Sequence, residues 1–243
     1  MEIKDLQNVE EVKQVLEFLS QPEKRDFYPK FFKTAPGQYG FGDVFIGVVV
    51  PDQRKIAKEY FKQLSLDQVA YLLSSKIHEH RHTALLMLVL KYEKSIDQKA
   101  KNQIVDMYLS LTRWINSWDL VDNSVYKILG RHAFEQKQPQ ILKRLALSDS
   151  LWEKRMAVVG TMYHIKKGEF DLTKEIVLLN LQHPHDLMHK ANGWLLREVG
   201  KKNEEVLKVF LKENYSMLPR TTLRYAIEKL SDSERAYFLK GNF

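Results

Sequence analysis

The chain has 243 residues, 44% of them apolar and 28% charged, the balance of a soluble globular protein long enough to bury one elongated core or two small ones. Cysteine is absent, which excludes disulfides, thiolate metal sites and cysteine nucleophiles, and the longest apolar runs, 44–50 and 84–90, hold seven residues each where a membrane span needs roughly 18–20. Thirty-eight Lys and Arg against 31 Asp and Glu leave a formal charge of +7, a surplus that favours a polyanionic partner.

The start, Met1-Glu2-Ile3-Lys4-Asp5, has neither the basic nor the apolar region of a signal peptide, so a cytoplasmic location is expected. With only 10 Gly and 7 Pro, most segments repeat apolar residues at i, i+3, i+4 and i+7, the period of helices buried on one face. Breaks near Pro51, Pro139, Pro184 and Pro219 predict an all-α chain of helices roughly 10–18 residues long.

Residues 34–50 depart from this period. Three glycines, Gly37, Gly40 and Gly42, precede the β-branched run Val44 to Val50, which reads as a loop or short hairpin. A phosphate-cradling loop would require a following Gly-Lys-Ser/Thr and a helix start, and neither is present. Helix starts are expected where a capping serine precedes Glu or Gln by three positions: Ser65 to Gln68, Ser95 to Gln98 and Ser150 to Glu153.

Histidine clusters twice, in His78-Glu79-His80-Arg81-His82 and in His183-Pro184-His185 with His189. His78 and His82, like His185 and His189, share a helix face at the i, i+4 spacing of two-His metal sites, but His-Glu-x-x-His is absent and no third ligand is evident. The expectation is solvated or capping histidines and no metal.

Residues 101–167 carry 11 basic against 6 acidic residues and three of the four tryptophans. Trp118 and Asp122 lie one turn apart, Trp152 precedes Arg155 by three positions, and Trp194 precedes Arg197 by three. Each alone is compatible with a core tryptophan flanked by solvated charge. Small residues recur in register with them: Ala157, Ala191 and Ala226 are 34 and 35 residues apart and Ala84 precedes Ala157 by 73, the spacing of two-helix repeats that stack with a long concave binding face.

The segments Ser117-Trp118-Asp119-Leu120-Val121-Asp122, Trp152-Glu153-Lys154-Arg155-Met156-Ala157 and Lys190-Ala191-Asn192-Gly193-Trp194-Leu195-Leu196-Arg197-Glu198 together resemble three motifs of the AlkD-type DNA alkylation repair glycosylases. The likeness runs over nearly the whole chain, including Phe31-Phe32-Lys33, the Gly-rich stretch with Val50-Pro51-Asp52-Gln53-Arg54, and Arg224-Tyr225-Ala226-Ile227.

The resemblance implies one domain over residues 1–243, a HEAT-like helical repeat solenoid whose concave basic face holds duplex DNA. It implies monofunctional removal of N3- and N7-alkylated purines without metal or cofactor, by a monomer with no membrane contact. By motif position Asp122 is the expected catalytic carboxylate, and Trp118 and Trp194 pack against the sugar of the damaged nucleotide. Arg155 and Arg197 would hold the DNA backbone, with Lys154 and Lys190 beside them.

Two positions depart from the family pattern. Tyr163 stands where a further basic residue is expected, with Lys166 and Lys167 nearby, and the N-terminal aromatic gripping DNA is Tyr28, Phe31 or Phe32. The Gly-rich segment resembles that of a branch whose members bind branched DNA with little glycosylase activity, so a non-catalytic binder of distorted DNA is the alternative. A helical scaffold for an acidic protein is the third reading.

Overall fold

The computed structural model describes residues 6–241, and these form helices, turns and a single isolated bridge. The chain divides into two compact units, residues 1–124 and 125–243. No helix among the described residues is long and apolar enough to cross a membrane.

The first unit contains α1 (Gln7–Phe18), α2 (Pro22–Phe31), α3 (Val50–Tyr60), α4 (Leu66–Leu73), α5 (His78–Lys94), α6 (Gln98–Ser110) and α7 (Trp118–Val125), whose last residue falls past the division. At the centre is α5, which packs against α3, α4, α1 and α6. Every residue from His78 to Val89 is buried, so this helix has no solvent face over its first three turns.

The second unit opens with a wide π-turn segment (Tyr126–Gly130) and continues through α8 (Arg131–Glu135), α9 (Gln140–Ala146), α10 (Leu151–Gly160), α11 (Met162–Lys166), α12 (Asp171–Leu179), α13 (Asp186–Lys202), α14 (Glu204–Glu213), α15 (Arg220–Ala226) and α16 (Asp232–Lys240). Here α13 is central, touching α10, α11, α12, α14 and α15. Ala84 on α5, Ala157 on α10, Ala191 on α13 and Ala226 on α15 are all buried, as expected of small residues where repeated helices meet.

Local chemistry sets the helix ends. Ser65 and Gln68 form the expected capping box, and the Ser150 side chain accepts from the Glu153 N–H. Ser95 does not start α6: it ends α5, and Asp97 caps α6 by accepting from the N–H groups of Lys99 and Ala100. Its carboxylate satisfies two orphan donors at the positive end of the helix, where a hydroxyl would satisfy fewer. Helix lengths run from 5 residues in α8 and α11 to 17 in α5 and α13, a wider range than the periodicity suggested.

Residues 34–49 are a loop rather than a hairpin, and, against the expectation that no helix starts at its end, α3 begins there at Val50; the Gly-Lys-Ser/Thr of a phosphate loop is still lacking. The turns of residues 34–49 lead to one parallel bridge between Val44 and Ile77, and among the described residues their β-branched run has no neighbouring strand to pair with. Gly47 has φ +88°, and a Cβ there would meet the Gln21 carbonyl oxygen at 2.3 Å, so no other residue type fits.

Candidate active site

Trp118 opens α7, half-buried, and Asp122 follows one turn later, also half-buried. Beneath them Asp119 is buried and bonds through Oδ2 to His78 Nε2 at 2.8 Å. The other ring nitrogen, Nδ1, meets Asp43 Oδ2 of the Gly-rich loop at 3.1 Å, and Arg81 Nη2 reaches the same oxygen at 2.7 Å. Asn116 donates to Asp43 Oδ1 at 3.3 Å.

The remaining groups of this motif are also engaged. Glu79 accepts the backbone N–H groups of Ile46, Gly47 and Val48, which orders the loop. His82 bonds Gln53, His80 bonds Ser75, and Arg81 donates to the carbonyls of Ser75 and Lys76. The histidines at 78, 80 and 82 are therefore buried structural groups, not solvated ones: charge on all sides of a helix cannot all face water when that helix lies at the centre of the unit.

Burial alone would lower the His78 pKa, but the Asp119 charge and hydrogen bonds to Asp119 and Asp43 raise it to about 9, so at neutral pH it is an imidazolium donating from both nitrogens. Burial likewise opposes ionisation of Asp119 and Asp43, and contact with His78, joined by Arg81 at Asp43, holds both below the usual carboxylate range. His80 is pushed by burial down to about 4 and is neutral.

A stack of rings surrounds the network. Trp118 lies 5.6 Å from Phe32 at 19°, Phe32 lies 5.0 Å from Phe45 at 17°, and His78 lies 4.6 Å from Phe45 at 26°. Phe31 meets Trp118 edge-on at 6.0 Å, and Tyr28 meets Phe45 edge-on. These groups line a largely apolar cavity of about 220 Å³ bounded also by Asp119 and Asn123. All three N-terminal aromatic candidates thus belong to one cluster with Trp118. Next to α7, the buried Tyr108 hydroxyl is held far above its ordinary pKa, by burial and then by the Asp122 charge.

In the second unit, Lys154 and Arg155 lie on α10 and Lys190, Trp194 and Arg197 on α13. Arg155 is 5% exposed and donates from Nη1 to the Leu187 carbonyl at 2.7 Å. Lys154 donates to the Ala146 carbonyl, Lys190 pairs with Asp186 at 2.7 Å, and Arg197 pairs with Glu228. Trp194 is half-buried and follows Gly193, where a Cβ would lie 2.5 Å from the Thr222 carbonyl oxygen and from Tyr225 Cβ. Only glycine permits this approach of α15 to α13.

At the expected basic position, Tyr163 donates its hydroxyl to Glu135, while Lys167 lies over its ring and Lys166 over that of Tyr126 at 4.4 Å. In the second histidine cluster, His185 caps α13 by accepting from the Leu187 N–H, and His183 accepts from the His185 N–H. Among the described residues no group of three or more His, Asp or Glu is arranged to hold a metal ion.

The sequence matches that of the DNA alkylation repair enzymes over residues 12–230, across both units. The chain belongs to the DNA alkylation repair enzyme family. A solved structure described as a predicted DNA alkylation repair enzyme from Enterococcus faecalis shares its helical fold, with a TM-score of 0.71 over 89% of this chain and 99% of that one at 18% identity. No curated protein matches the chain in sequence. Asp43, His78, Arg81 and Asp119 form a buried ionic cluster beside Trp118 that was not expected from the sequence, where His78 read as a solvated or capping residue. The available signal was the run of five ionisable side chains at 78–82, which no single solvent face of a helix accommodates.

Proposed function

We propose that the protein is a monofunctional DNA glycosylase that hydrolyses the N-glycosidic bond of N3- and N7-alkylated purines in duplex DNA, acting as a monomeric single domain in the cytoplasm. The observation that carries the reading is that a carboxylate, Asp122, and Trp118 stand half-buried one turn apart on α7, in a chain of this family.

An N-alkylated purine bears a positive charge and departs readily, so the enzyme must chiefly stabilise the cationic sugar that forms as the bond breaks. Asp122 supplies the opposing charge in a partly dry setting and orients the attacking water. The role proposed for Trp118, and likewise for Trp194, is to offer the negative face of the ring to a cationic sugar.

Arg155, Arg197, Lys154 and Lys190 are assigned to the DNA backbone, and the formal charge of +7 adds salt-dependent affinity without reading bases. Each already has a partner within the protein. At Lys190 and Arg197 that partner is an exposed carboxylate, Asp186 or Glu228, which a phosphate must displace. Release of 7-methylguanine and 3-methyladenine from methylated duplex DNA tests the assignment: wild type releases base, and Asp122→Asn at equal folded concentration does not.

The order of the Gly-rich loop, bound to α5 through Glu79, favours a second reading in which that segment serves a non-catalytic binder of branched DNA. Retained junction binding with no base release from any alkylated duplex would select it.

A further inference from the structure

The proposed chemistry leaves the buried motif at 78–82 unused. Within it His78 is the residue whose ring nitrogens join two other segments, Asp43 of the Gly-rich loop and Asp119 in the first turn of α7. Asp119 is the immediate neighbour of Trp118. His78 also reaches Trp118 by a second route, since its ring face lies 4.9 Å from Phe32, on which Trp118 stacks.

Packing alone does not require such a bridge. Exchanging buried ion pairs for apolar residues of similar volume is often neutral or stabilising, so an ionic contact contributes direction more than stability. The imidazolium ring fixes both carboxylates along its two N–H directions. Around it stand Asp43 and Asn116 on one side, Asp119 with the nearby His82 on the other, and Arg81 and Glu79 on its own helix.

We propose that His78 is a positioning residue: bridging Asp43 and Asp119, it holds the first turn of α7 so that Trp118 stands in the orientation the reaction requires. The proposal rests on the assignment of Trp118 and Asp122 to base excision, and adds that the Gly-rich loop serves that site by supplying Asp43.

The test uses the full-length protein in wild-type form and as His78→Gln, Asp43→Asn, Trp118→Ala and His78→Gln/Trp118→Ala. Single-turnover release of 7-methylguanine and affinity for uncleaved duplex are measured on each. In parallel, 5-fluorotryptophan labelling gives a fluorine resonance for Trp118, assigned by its loss in Trp118→Phe.

His78→Gln is expected to slow release roughly tenfold to a hundredfold, the scale of a small misplacement. Duplex affinity should stay within about twofold, since binding and chemistry separate in such a readout. The Trp118 resonance should shift or broaden in both His78→Gln and Asp43→Asn, and His78→Gln should slow release little further once Trp118 is alanine.

An unshifted Trp118 resonance in the folded variants, or an equal rate loss with and without Trp118, overturns the proposal. Asp43→Asn keeps the imidazole and carries the test should His78→Gln not fold. If wild type releases no base, the glycosylase reading fails on its own, and the fluorine resonance alone decides whether His78 holds Trp118.

Discussion

The two tryptophans assigned to the sugar contact are held by different forces. Trp118 in the first unit rests on stacked rings and on a helix turn pinned by the buried ions Asp43, His78, Arg81 and Asp119. Trp194 in the second unit stands on α13 among buried Ala191, Asn192, Leu195 and Leu196, with Gly193 admitting α15. Ionic anchoring is directional and responds to pH; close packing is indifferent to pH and intolerant of added volume. The two supports therefore fail under different perturbations.

The largest separation of the two should come from Asp119→Ala. It leaves the buried His78 imidazolium with one carboxylate fewer and should cost about 3–5 kcal/mol in chemical denaturation, the usual range for breaking a buried pair. A loss below about 1 kcal/mol, the level of exposed pairs, would mean that Trp118 is held by packing, as Trp194 is. Next is Gly193→Ala, whose methyl group collides with the Thr222 carbonyl and the Tyr225 side chain. Overpacking of this kind costs roughly 1–3 kcal/mol, and the loss should be the same at every pH from 6 to 9.

Titration sharpens the contrast further. The folded pKa of His78, about 9, lies above its ordinary 6.5, so its contribution is complete below about 6.5, shrinks as pH rises and is gone above about 9. Asp43 and Asp119 are shifted the other way, so their contributions are present above the ordinary carboxylate range and are lost as pH falls. Denaturation midpoints should therefore decline from pH 7 to 9.5 in wild type and much less in His78→Gln; parallel declines would remove His78 as the cause.

The smallest effect belongs to Glu228→Gln in the second unit. Losing this exposed partner should leave stability unchanged, tighten DNA binding and steepen its salt dependence by up to about one phosphate contact. An unaltered salt slope would take Arg197 out of the proposed DNA contacts.

What the sequence disclosed follows from distance along the chain. Trp118 and Asp122, or Trp194 and Arg197, are one turn apart on a single helix, so their pairing is legible from spacing. Ala84, Ala157, Ala191 and Ala226 recur at the repeat period and are buried as that period requires. The His78 contacts bridge 35 and 41 residues, and no local rule joins them. The same limit applies to residues 34–50, whose β-branched composition suits a strand but whose conformation is decided by Glu79, more than 30 residues away. At Ser95 the difference is local: Asp97, two residues on, caps α6 with its carboxylate in place of the serine hydroxyl.

The central claim is that the Asp122 carboxylate drives release of an alkylated base, and one comparison tests it most directly. Single-turnover release of 7-methylguanine from methylated duplex should be readily measured for wild type and reduced at least about a hundredfold in Asp122→Asn with the fold intact, the scale expected of a positioned acid–base group. Equal rates for the two proteins would contradict the assignment of Asp122, and no release by either would contradict the glycosylase activity itself.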